Sequence, residues 1–363
     1  MRGILNDRVR LDSGFRGLFT DAEHGAVRDY YRERPALSPT PLHRLHGFAR
    51  ATGLGEVSVK DESGRFGLNA FKILGVSYAV QRLGASAVAP GLVCATTGNH
   101  GRAVARAARD HGVECTVFVP AGSPARDALE TATREARIGA MRTDGAVVVL
   151  VDGSYEDAVR LAAAHGAETG RTIVSDTSWP GYEQIPRWIM AGYTQLFEEA
   201  SHQWDRRPDA IVVQGGVGGL VCAAASWAAW RYGGDRPVVI ACEPDSAACL
   251  LESAAAGGLV MSRGDLSTIM SGLRCAEASP AAWPAIDAGV HAFVTVPDSL
   301  VVAALDRLRN PGGSDPSIHA GPSGACGVAA VVALITAPEL EEVRDACRLN
   351  RESRILAVVT EGL

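Results

Sequence analysis

Residues 210–224 read AIVVQGGVGGLVCAA. The first five, Ala210 to Gln214, are a short apolar, β-branched run of the kind that forms a strand buried on both faces. The next five, Gly215, Gly216, Val217, Gly218 and Gly219, hold four glycines, and an alanine-rich stretch at helical spacing follows. A strand that passes through glycines into a helix start presents backbone N–H groups to an anion. A tight turn would need fewer glycines, so the segment reads as a phosphate cup. Its spacing does not fit the G-x-G-x-x-G dinucleotide pattern, which disfavours a nicotinamide cofactor.

The same strand-then-helix rhythm extends outward in both directions. Apolar, β-branched runs recur at 57–60, 91–95, 115–120, 146–151, 172–175, 238–243, 291–296 and 355–360, separated by longer alanine-rich stretches at helical spacing. Strands alternating with helices argue for an α/β fold around parallel sheets. A long helical stretch from Ser123 to Arg142 interrupts the rhythm, and the lead-in Pro35 to Leu42 is extended. The length, 363 residues, suits two domains.

Net charge is −6 with a pI near 5.9, and the arginines are scattered, so no nucleic-acid footprint is present. Gln214 and the glycines break the apolar run 212–230, and no other run reaches membrane-spanning length. Residues 1–7 turn charged at once without a signal-peptide core, so the expected address is the cytoplasm. None of the eight cysteines forms a C-x-x-C pair, which argues against a zinc site. Lysine and arginine together number 35, yet only Lys60 and Lys72 are lysines. A lysine kept against such a bias suits a task closed to arginine, such as losing its proton and attacking a carbonyl.

Two further strand-to-helix junctions carry unusual residues. In KDESGRFGLNAFKILG (60–75), Lys72 opens a helix between Phe71 and Ile73, where partial burial would favour a neutral amine. Taken alone, a lysine snorkelling from an amphipathic helix would look the same. In ATTGNHGR (95–102), glycines flank Asn99 and His100, so backbone can approach a ligand and Asn99 can hydrogen-bond a phenolic oxygen.

Together these three segments resemble the pyridoxal 5′-phosphate (PLP) enzymes of the tryptophan-synthase β fold, fold type II. SDTSWPGYEQIPRWIMAGY (175–193), CEPDSAACL (242–250) and TIMSGLRCAEASPAAW (268–283) narrow the resemblance to the diaminopropionate ammonia-lyase family. The resemblance implies two domains, each a twisted, mostly parallel sheet flanked by helices: a large one of 1–75 with 177–363, and a smaller one of 76–176. It further implies that Lys72, beside Phe71, carries PLP as a Schiff base and that Asn99 contacts the cofactor ring oxygen. The backbone of Gly215, Gly216, Val217, Gly218 and Gly219 would hold the phosphate, and Thr360 would face the pyridine nitrogen. Asp176 matches an active-site aspartate of the lyases, and a homodimer is implied. Cys249 and Cys275 are expected to lie close together.

One position departs from the pattern. The lyases place an aspartate directly before Gly-Asn-His-Gly, serving as base for the D-isomer, and here that residue is Thr97. A threonine hydroxyl cannot take a proton from carbon at neutral pH. The expected reaction is therefore α,β-elimination on a small β-substituted L-amino acid, foremost 2,3-diaminopropionate to pyruvate and ammonia. Two alternatives stand beside it: a same-fold dehydratase or β-replacement enzyme acting on another amino acid, and a catalytically silent PLP-binding protein.

Overall fold

The computed structural model describes residues 1–10, 14–34, 37–96, 98–120 and 128–363. Among them are strands β1 (Gly3–Leu5), β2 (Leu42–Arg44), β3 (Glu56–Asp61), β4 (Leu92–Ala95), β5 (Cys115–Pro120), β6 (Ala146–Val151), β7 (Thr172–Ile173), β8 (Ala210–Gln214), β9 (Val238–Pro244), β10 (Ala292–Val296) and β11 (Arg354–Val359). The chain divides into two units, Met1–Phe71 with Tyr193–Leu363, and Lys72–Gly192. Both are α/β units in which helices flank a sheet. Among the described residues no single helix is long and apolar enough to cross a membrane.

The larger unit carries a seven-stranded sheet in the order β1-β10-β9-β8-β11-β3-β2. Its five central strands are parallel, and the short edge strands β1 and β2 pair antiparallel. Parallel strands buried on both faces need apolar side chains at every position, and β8, with all five residues buried, meets that need. Helix Pro322–Thr336 is apolar almost all round and buried from Ser323 to Val331, as a helix enclosed by the core must be. The edge strand β1 and the helix Asp21–Arg32 were not expected from the sequence. The helix starts at a Thr20–Glu23 capping box.

Charge is also enclosed in this unit. Arg65, Lys60 and Glu62 are fully buried, with Glu199 beside them. Arg65 binds Glu62 through Nε at 2.6 Å and Glu199 through Nη2 at 2.7 Å. Lys60 Nζ reaches the Thr40 carbonyl at 2.7 Å, Gln203 Oε1 at 2.9 Å and Glu199 at 3.0 Å. Three acceptors match the three protons of an ammonium, a compact geometry that a planar guanidinium does not reproduce. Lys60 is thus a lysine for reasons of packing.

The smaller unit holds a four-stranded parallel sheet in the order β6-β5-β4-β7. Helix Lys72–Leu83 packs on helix Asn99–Asp110. A β-carbon at Gly101 would fall 2.4 Å from Thr96 Cγ2 and 3.1 Å from Val117 Cγ1, so only glycine lets this helix sit so close to its sheet. The expected helical stretch Ser123 to Arg142 is seen as helix Ala128–Thr143, and Ser123 to Asp127 lie outside the described residues.

Candidate active site

In the smaller unit, β4 and β7 run parallel as neighbours, so both leave the sheet at its carboxyl edge, where α/β folds bind ligands. β4 leads to helix Asn99–Asp110, whose N-cap is Gly98, and β7 leads through Val174 and Ser175 to Asp176. Lys72 is the first residue of helix Lys72–Leu83, and its Nζ donates to Asp176 Oδ2 at 2.5 Å. The two side chains are 23% and 15% exposed. Burial works to raise the Asp176 carboxyl, but the Lys72 ammonium, the nearby His100 and the lysine hydrogen bond outweigh it and hold the group well below the usual carboxylate range. Asp176 is therefore an anion at neutral pH.

His100 completes this cluster. Its Nε2 lies 2.8 Å from the Val174 carbonyl, which can only accept, so Nε2 carries the proton. Its Nδ1 is buried without a hydrogen bond among the described residues and lies 3.8 Å from Asp176 Oδ2. The segment bearing Asp176 is held from the other side by Tyr182. The Tyr182 hydroxyl donates to the Ile173 carbonyl at 2.8 Å and accepts from the Ser175 amide at 2.9 Å. Its ring stacks on Trp179 with centroids 4.1 Å apart. The Trp-Pro-Gly-Tyr segment is thus a clamp on the strand end that presents the carboxylate. Asn99 is half-buried at the helix start. Thr97 lies outside the described residues.

In the larger unit, β8 runs into the glycine loop and then helix Gly219–Tyr232. Gly218, the N-cap, has φ +92°, and a β-carbon there would also sit 2.6 Å from Ile286 Cδ1. At Gly215 a β-carbon would meet Leu250 Cδ1 at 2.6 Å. The N-cap Gly218 makes no side-chain cap hydrogen bond. Cys249 and Cys275, neither of them in a disulfide, border the loop. Cys249 Sγ donates to the Gly216 carbonyl at 3.3 Å, and a β-carbon on Gly216 would lie 3.4 Å from Cys275 Sγ.

Thr360 follows β11, the strand beside β8, and is buried. Its carbonyl accepts from the Phe71 amide at 3.1 Å, and the Phe71 ring lies 4.7 Å from that of Tyr193. Its Oγ1 lies 3.2 Å from Gln214 Nε2. An amide nitrogen can only donate, so Thr360 keeps its own hydroxyl proton to give elsewhere. At the end of the next strand, β9, the fully buried Glu243 accepts from the Leu250 and Leu251 amides at 2.9 and 2.8 Å. Burial nevertheless raises its carboxyl to about 7.

A family model described as "Pyridoxal-phosphate dependent enzyme" matches residues 33–361, and the chain belongs to that family. It is 34% identical to the diaminopropionate ammonia-lyase of Escherichia coli, over 95% of this chain and 89% of that protein. It is 33% identical to the Salmonella typhimurium enzyme of the same name, over 93% and 88%. The crystal structure of the Escherichia coli lyase in complex with an aminoacrylate–PLP azomethine reaction intermediate superposes with a TM-score of 0.88 at 32% identity, covering 99% of this chain and 93% of that one.

The residues present fit the family's cofactor. A helix N-terminus with glycine at its N-cap, reached through bare glycine backbone, suits a phosphate dianion. The Thr360 hydroxyl, with one lone pair taken by Gln214 and its own proton left to donate, suits a ring nitrogen that accepts a hydrogen bond. Lys72 offers the primary amine that an aldehyde requires. His100, Tyr182, Gln214 and Glu243 were not singled out from the sequence, although all four lie inside the segments that carried the resemblance.

Proposed function

We propose that this chain is a PLP-dependent lyase that converts 2,3-diaminopropionate and water to pyruvate and two molecules of ammonia by α,β-elimination. The observation that carries the reading is the Lys72–Asp176 pair, found in a chain that resembles diaminopropionate ammonia-lyases over nearly its whole length. When bound, PLP supplies an electron sink that acidifies Cα and lets a β-substituent depart. The chain's own residues do the rest. Lys72 attaches the cofactor and, once released by the incoming amino group, takes the Cα proton on Nζ. Asp176 stays anionic and stabilises the ammonium that Lys72 then becomes, which strengthens it as a base.

Asp176 also sets substrate choice. A carboxylate that loses its lysine partner needs another cation, and the β-ammonium of diaminopropionate supplies one where the hydroxyl of serine or threonine does not. His100, through the Val174 carbonyl, and Tyr182, through Ile173 and Ser175, hold the segment that presents this carboxylate. The glycine loop from Gly215 to Gly219 takes the phosphate, Asn99 the ring oxygen, Phe71 flanks the ring, and Thr360 takes the ring nitrogen. The enzyme works as a homodimer in the cytoplasm, which sedimentation and cell fractionation test.

The decisive experiment supplies the PLP-loaded enzyme with L- and D-2,3-diaminopropionate, serine and threonine, and measures keto acid and ammonia. The L-diamine should give pyruvate with two equivalents of ammonia and the highest kcat/KM. Turnover of serine or threonine in preference to the diamine would overturn the assignment of Asp176 as the β-ammonium partner.

A further inference from the structure

We infer that Gln214 is a positioning residue that sets the direction of the Thr360 hydroxyl, and through it the protonation state of the cofactor's ring nitrogen. The inference rests on the reading of Thr360 as the ring-nitrogen partner. Gln214 is the last residue of β8 and is almost wholly buried. Its side-chain nitrogen faces the carbonyls of Ser323 at 3.1 Å, Gly324 at 3.0 Å and Val358 at 3.0 Å, as well as Thr360 Oγ1 at 3.2 Å. Three backbone carbonyls can only accept, so this end of the amide must be the NH2 group, and the opposite orientation would set four oxygens against one another. The amide oxygen is buried with no hydrogen-bond partner among the described residues, and a β-carbon at Gly327 would come within 3.1 Å of it. The side chain is therefore committed to donating.

The consequence falls on Thr360. Its hydroxyl has one proton and two lone pairs, and the Gln214 contact uses it as an acceptor. The O–H is left pointing away from Gln214, able to donate to a ring nitrogen that keeps its lone pair. A hydroxyl free to rotate could equally turn a lone pair to that nitrogen and accept from its protonated form. With one lone pair taken by Gln214, turning the other to that nitrogen would leave the buried O–H without an acceptor among the described residues, so Gln214 disfavours that second arrangement. An unprotonated ring withdraws electrons less strongly, so charge at Cα is stored less well and expulsion of the β-group gains over reprotonation. Gln214 thereby favours elimination over racemisation without touching substrate or cofactor.

The test uses holoenzyme reconstituted with PLP carrying 15N at the ring nitrogen, with the 15N resonance as readout. The wild type should show the resonance of a neutral, hydrogen-bonded pyridine that does not move between about pH 6 and pH 9. In Gln214→Met the resonance should shift and gain pH dependence, and cofactor affinity should fall on the order of fivefold, the worth of one ordered hydrogen bond. Racemisation of L-substrate relative to elimination should rise. In a Thr360→Val background the same substitution should leave the resonance where Thr360→Val alone puts it. A Gln214→Met spectrum identical to wild type, or an equal effect of Gln214→Met with and without the Thr360 hydroxyl, would overturn the inference. Should the methionine variant not fold, Gln214→Leu also removes the donor without setting an oxygen against the three carbonyls. It should move the resonance in the same direction, and an unmoved resonance there counts equally against the proposal. Failure of Thr360→Val alone to move the resonance would instead overturn the reading of Thr360, a separate outcome.

Discussion

Glu243 makes a quantitative expectation possible. It sits at the end of β9, fully buried, with its carboxyl against the first turn of helix Cys249–Ala256. Burial raises it from 4.5 to about 7, while the Leu250 and Leu251 amides and Cys249 pull it down and the nearby Glu252 pushes it up. A carboxyl whose folded value is raised binds its proton more tightly in the folded state. The stabilisation is complete below the unfolded value of 4.5 and is lost as pH rises through 7. Between about pH 5 and pH 8 the loss amounts to about 2.5 kcal/mol. Glu243→Gln cannot titrate, so its own cost is the same at both pH values and cancels from the comparison. Urea unfolding of the two proteins at both pH values should show the wild type losing about 2.5 kcal/mol more than the variant across the interval. Infrared difference spectra should show a protonated carboxyl band in the wild type that fades with a midpoint near neutrality and is missing from the variant. Equal pH dependence of the two stabilities, with no such band, would refute the argument from burial.

Other substitutions test other parts of the structure. Lys72→Ala should abolish the visible absorbance of the bound cofactor and cut turnover by about 10²–10⁴, the range for a lost general base. Thr97→Asp should raise turnover of D-diaminopropionate by a comparable factor while leaving the L-isomer nearly unchanged, as paired steady-state assays would report. Gly101→Ala sets a methyl 2.4 Å from Thr96 Cγ2 and should destabilise the protein by about 1–3 kcal/mol in thermal unfolding. His24 is lowered to about 4, chiefly by burial, so the unfolded state binds its proton first and stability drains away as pH falls from 6.5 towards 4. His24→Gln should flatten that acid limb by roughly 3 kcal/mol in acid unfolding.

The parallel strands were legible because each is buried on both faces and so had to be written as an unbroken apolar run, as in Ala210 to Gln214. What escaped depended on partners far along the chain. β1 is three residues long and acquires strand geometry only by pairing with residues 292–294. His100 matters because β7 returns Asp176 to within 3.8 Å of it, a meeting that nothing in Gly-Asn-His-Gly announces. Gln214 was visible only as the polar end of a strand, and its significance lies in four oxygens contributed by residues 323–360. The scarcity of lysine singled out two residues without separating them. The structure separates them by burial, since Lys60 is sealed among acceptors and Lys72 stands partly exposed beside Asp176.

That separation has a use in the test tube. Most proteins of this size present many surface lysines, and amine-directed chemistry on them gives unresolved mixtures. Here one of the two ε-amines is enclosed with all three of its protons engaged, so a water-soluble acylating reagent can reach only the other while the fold is intact. Mass spectrometry of the intact chain after brief acylation would then count occupied sites directly. Protein with its cofactor attached through Lys72 should resist modification at that residue, and stripped protein should accept one side-chain adduct. Adducts at Lys60 would appear only on unfolding, giving one reagent two separate signals, one for loading and one for the integrity of the core.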